Sequence, residues 1–103
     1  MSDKELLIPT LNYLRQHRGA ILELAATYGA YNLRVFGSVA RGESDENSDV
    51  DFLVAFKDGT SLFEFSAFWQ DLQDLLGVAV NIVSEGGLKD SFKSDIEKDL
   101  VAL

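Results

Sequence analysis

The chain has 103 residues, 47% hydrophobic and 25% charged, an ordinary globular composition for one domain (1–103) with a modest core. Its 17 acidic residues outnumber 9 basic ones, and the net charge of −8 argues against a binder of nucleic-acid backbones, which needs Lys and Arg against phosphate. Cysteine is absent, which excludes disulfides, thiolate metal sites and thiol nucleophiles.

From the N-terminus, Met1–Glu5 lacks the basic start of a secretory signal, and no apolar run approaches the length of a membrane span. A cytoplasmic protein is expected. Ser2-Asp-Lys-Glu5 fits a capping box, and Pro9 limits how far a first helix can run unbroken. Thr10–Gln16 reads as a short helix with Leu11 and Leu14 inward. Arg18–Tyr28 is a clearer one, because Ile21, Leu24, Ala25 and Tyr28 recur at helical spacing and Gly29 follows as a terminator. The lone His17 between them has no second ligand candidate at motif spacing and reads as a surface residue.

Asn32–Phe36 is the first predicted strand and Asp49–Phe56 the second. Lys57–Thr60 is a turn, and Thr60 or Ser61 then caps a helix reaching about Leu76 and closed by Gly77. Leu62, Phe65, Phe68, Trp69, Leu72, Leu75 and Leu76 share its predicted core face, while Phe63 falls opposite, folded over the helix start or set in a partner interface. Val78–Val83 is the third strand, with Val80 and Ile82 on one face and Asn81 on the other. After a loop at Ser84–Gly87, Phe92, Ile96 and Leu100 mark a last amphipathic helix. The fold class is therefore α/β (α+β): a small mixed sheet of about three strands flanked by helices. The sheet is expected to be mixed because the link between the first two strands is too short for a full helical crossover.

The chemistry concentrates in Phe36–Val54, F-G-S-V-A-R-G-E-S-D-E-N-S-D-V-D-F-L-V. Residues i and i+2 of a strand share a face, so Asp49 and Asp51 project together and Val50 points away. Paired carboxylates repel unless a cation lies between them, and Mg²⁺ takes carboxylate oxygens together with substrate phosphates. Ahead of them, Gly37 permits a close approach or positive φ, and Ser38 stands where an N-cap would open a short helix with N–H groups free for phosphate. A phosphate cradle beside a metal pair suits a metal-bound nucleotide.

Gly37-Ser38, ten intervening residues and Asp49-x-Asp51 resemble the signature of the DNA polymerase β-like nucleotidyltransferase superfamily. Val35–Glu43 followed by Ser48–Val54 is similar, more narrowly, to the minimal nucleotidyltransferases, small antitoxin partners of HEPN toxins, over about Leu11–Leu103. The resemblance implies Asp49 and Asp51 as ligands of one or two Mg²⁺ ions. It implies Gly37 and Ser38 on the β- and γ-phosphates of ATP, and AMP transfer to a tyrosine hydroxyl of a HEPN-family toxin in a hetero-oligomer. Arg41 is then a nucleotide or partner contact, or else an ion pair with Glu43 or Asp45. Ser48 shapes the turn before the acidic pair.

One residue departs from the family pattern. The third strand of close members reads Val-Asp-Ile/Leu-Val, and here it is Val80-Asn81-Ile82-Val83. Asn81 can coordinate through its carbonyl oxygen but cannot serve as a base. General-base assistance is worth roughly 10²–10⁴ in rate, so a slow transferase, one helped by its partner, and an antitoxin that only binds all stay open. Transfer to a small molecule is a weaker alternative, because no stretch resembles a dedicated domain for it. At this length a partner chain is expected to complete the site.

Overall fold

A computed structural model describes residues 7–88 and 90–103, and the capping pattern at Ser2–Glu5 lies outside the described residues. Thr10 opens the first helix, α1 (Leu11–Gln16), by accepting the Tyr13 backbone N–H on its hydroxyl at 3.0 Å. His17 joins it to α2 (Arg18–Thr27), which buries Ile21 and Ala25. The histidine is half-buried rather than on the surface, because its ring packs against Tyr13 and its Nδ1 lies 3.0 Å from the Tyr13 carbonyl. Gly29 follows the helix at φ +76°, the left-handed turn that glycine allows.

The sheet is mixed, in the order β3-β2-β1-β4. Strand β1 (Ala30–Phe36) begins two residues before the expected start and pairs antiparallel with β2 (Val50–Phe56). Its early part hides an irregularity: Asn32 sits at φ 54°, and the register shifts between Tyr31 and Arg34. Strand β2 crosses through α4 (Leu62–Leu76) to a parallel β3 (Val80–Ser84), which starts two residues after the expected Val78. Glu85–Gly87 forms a single 3₁₀ turn where a loop was expected. A two-residue β4 (Val101–Ala102) adds an edge beside β1, too short for any periodicity to reveal.

Strand β2 lies between two partners and is buried along Phe52–Ala55. Phe52, Phe68, Leu14, Ile21, Leu72, Leu76, Val35, Val39 and Val54 form the centre of the core. Phe63 is 88% exposed, as the wheel predicts, but Leu62 is also 81% exposed. Leu62 is the first residue of α4, and packing on the sheet begins only with Phe65, whose ring lies 5.1 Å from that of Phe56. The last helix, α5 (Asp90–Glu97), buries Ile96 alone; Phe92 is 61% exposed and Leu100 falls beyond the helix end.

Helix α4 carries a complete capping box. The Ser61 hydroxyl accepts the Glu64 backbone N–H at 3.0 Å, and the Glu64 carboxylate accepts the Ser61 N–H at 2.9 Å. That backbone donor holds the Glu64 carboxyl below the usual range, so this part of the cap is lost as the pH falls through the lowered value. Ser61→Ala should cost about 1 kcal/mol, read as a lower urea midpoint at unchanged slope.

Candidate active site

One row across the sheet assembles the site. Phe36 pairs with Asp51 across β1 and β2, and Asp51 pairs with Asn81 across β2 and β3. Because Phe36 ends β1, the next residue turns directly over Asp51. That residue is Gly37, at φ +75°, and a Cβ there would lie 2.3 Å from Asp51 Oδ2. Glycine is required twice, by the left-handed backbone and by the carboxylate.

Gly37 starts the short helix α3 (Gly37–Arg41), with Phe36 in the cap position. Ser38 is therefore not the expected N-cap but lies within the first turn, where backbone N–H groups have no intrahelical partner. Gly42, at φ +76°, ends the helix, and the Glu43 N–H returns to the Ser38 carbonyl at 2.9 Å. The following loop is tied locally. Ser48 Oγ accepts the Asp45 N–H and the Asp45 carboxylate accepts the Asn47 N–H, each at 2.8 Å. Ser48 thus shapes the turn that delivers Asp49.

Asp49 is exposed just ahead of β2, Asp51 is half-buried, and Val50 between them is fully buried. Both carboxylates meet the same amide: Asn81 Nδ2 donates to Asp49 Oδ2 at 3.2 Å and to Asp51 Oδ1 at 3.1 Å. The Asp51 carboxyl is pushed above its ordinary value, chiefly by burial and also by the Asp49 charge, against the opposing Asn81 hydrogen bond and Arg41 charge. Its ionisation therefore costs the folded state stability, beginning in the ordinary carboxylate range and complete once the pH has passed the raised value.

Arg41 is held elsewhere. Its Nε donates to Glu43 and another guanidinium nitrogen to Asp99, both at 2.8 Å. Glu43 was among the expected partners; Asp99, 58 residues away, gave no local signal. Asp45 is committed to its own turn instead.

The acidic pair fits a small hard cation. Two carboxylate oxygens converge on one point, marked by the Asn81 nitrogen. Among the described residues no group of three His, Cys, Asp or Glu side chains gathers, because Asn81 stands in the third place. The groove of about 450 Å³ between α2 and α4 has none of Gly37, Ser38, Asp49, Asp51 or Asn81 in its lining.

The nucleotidyltransferase-domain family profile matches residues 14–103. Protein adenylyltransferase MntA of Thermococcus cleftensis is 38% identical over 79 residues, covering 77% of this chain and 80% of the relative. A solved structure assigned as a minimal nucleotidyltransferase superposes with a TM-score of 0.82 at 42% identity, over 99% of this chain and 100% of the other. A toxin–antitoxin structure with AMP-PNP shares the fold at a TM-score of 0.70 and 20% identity, over 82% and 69% of the two chains. The chain belongs to the nucleotidyltransferase-domain family, among its minimal members.

Proposed function

We propose that this chain is an antitoxin that transfers AMP from ATP to a tyrosine hydroxyl of a HEPN-family toxin, in a cytoplasmic hetero-oligomer. The observation that carries the reading is the convergence of Asp49 and Asp51 beside the first turn of α3. The 38% identity to a protein adenylyltransferase supports AMP as the transferred group. Among solved neighbours that share the fold, one is an MNT antitoxin in complex with a tri-AMPylated HEPN toxin, which supports the kind of partner. No helix among the described residues is long and apolar enough to cross a membrane.

In this reading Asp49 and Asp51 would hold one or two Mg²⁺ ions, whose chemistry would be neutralisation of the triphosphate's charge. The backbone of Gly37 and Ser38 grips the β- and γ-phosphates. The acceptor oxygen bonds to the α-phosphorus, the bond from that phosphorus to pyrophosphate breaks, and the acceptor proton passes to water or to a partner side chain. Asn81 cannot take it. The open, exposed rim leaves base and acceptor to be positioned by the partner chain.

Label from ATP carrying it at the α-phosphorus should enter the partner, and label at the γ-phosphorus should not. Equal incorporation of both labels, or of neither, would reject AMP transfer. Arg41 sits in the last turn of α3, where its exposed pairs with Glu43 and Asp99 would have to give way to phosphate; Arg41→Ala should then weaken Mg²⁺–ATP binding by about tenfold in calorimetry with little change in melting temperature.

A second reading is carried by Asn81 itself: an antitoxin that neutralises its partner by binding, without transfer. It predicts that the double replacement Asp49→Ala and Asp51→Ala still protects cells from the toxin. Loss of protection with the complex intact would reject it.

A further inference from the structure

We propose that Asn81 holds the Asp49–Asp51 pair together in the cation-free protein, so that a cation enters only as this amide turns away and enters together with nucleotide. One amide nitrogen satisfies both carboxylates, at 3.2 and 3.1 Å, from the point where a shared cation would bind. An N–H donor and a cation cannot face the same oxygens from that point. Cation binding therefore breaks two charge-assisted hydrogen bonds before it gains two ligands.

The charge of the site reinforces this order. With asparagine in the third strand the cluster carries two negative charges rather than three, and cation affinity follows the count of charged ligands. A triphosphate brings the missing negative charge with it. The metal alone should bind weakly and the metal–nucleotide complex well. The amide also offsets the mutual repulsion of the two carboxylates by donating to both. Asn81 is thus a positioning residue, acting on the ligands rather than on the reacting atoms.

The inference rests on Asp49 and Asp51 being the cation ligands, and the test separates the two claims. Mn²⁺ binding without nucleotide would be measured by calorimetry, and melting in chelator by circular dichroism, on native, Asn81→Asp and Asn81→Ala chains. Asn81→Asp should bind Mn²⁺ alone about tenfold more tightly or better. In chelator it should melt roughly 5 °C lower, and Mn²⁺ should reverse that deficit. Asn81→Ala should also melt lower in chelator, although replacement of an exposed side chain is ordinarily near neutral. Equal Mn²⁺ affinity and equal melting in chelator for native and Asn81→Asp chains would overturn the proposal. Equal Mn²⁺–ATP binding by native and Asp51→Ala chains would instead sink the ligand assignment, on which melting in chelator does not depend.

Discussion

Replacing Asp51 with alanine should lower AMP transfer by about 10³-fold or more while leaving the fold intact. In the proposed reaction the Mg²⁺ held by Asp49 and Asp51 contributes several kcal/mol of charge stabilisation, and each ~1.4 kcal/mol is tenfold in rate. Asp51 is the better placed of the two proposed ligands, in register with Asn81 across β2 and β3 and beneath Gly37. The fold should tolerate the change. Burial disfavours the ionised Asp51 carboxyl, so alanine removes a desolvation penalty as well as a hydrogen bond from Asn81. Melting within a few degrees of native, with transfer lost, is the expected pair of results. Retained transfer would remove Asp51 from the machinery.

Gly37→Ala should lose about 1–2 kcal/mol of stability and about 10² in transfer rate. The first loss comes from the left-handed backbone at φ +75°, which an L side chain resists. The second comes from the added Cβ, 2.3 Å from Asp51 Oδ2, which forces the carboxylate aside by about 1 Å. Gly42→Ala is the control, because Gly42 has nearly the same φ, +76°, but an added Cβ meets nothing within 4 Å. Both variants should show similar stability losses in urea, and only Gly37→Ala should lose activity. Equal activity losses would mean that helix α3, rather than contact with Asp51, sets the site.

Much of this arrangement was legible in the residues, because it depends on local spacing. Alternation along β2 placed Asp49 and Asp51 together and sent Val50 into the core. The cap at Ser61 and the glycine stops at Gly29 and Gly77 are short-range chemistry, and helix ends followed them closely. The glycine at position 37 announced a close approach, but only the fold shows that its neighbour is Asp51.

What stayed hidden depends on contacts distant in sequence or on where an element stops. The Arg41–Asp99 pair joins α3 to the segment after α5, and nothing near Arg41 announces it. The two-residue β4 has no pattern of its own and exists because β1 offers it an edge. Leu62 and Phe92 look inward on a helical wheel, but burial depends on whether something lies beneath each turn. The bulge at Asn32 likewise delayed the apparent start of β1.

The most direct test of AMP transfer is the intact mass of the proposed HEPN-family partner. The toxin would be co-expressed with native or Asp49→Ala chain and incubated with ATP and Mg²⁺. A gain of one or more AMP units with the native chain alone is the predicted result, and it would show that Asn81 is compatible with catalysis. No gain with either chain, with the complex still stable, would contradict the account and leave binding as the means of neutralisation.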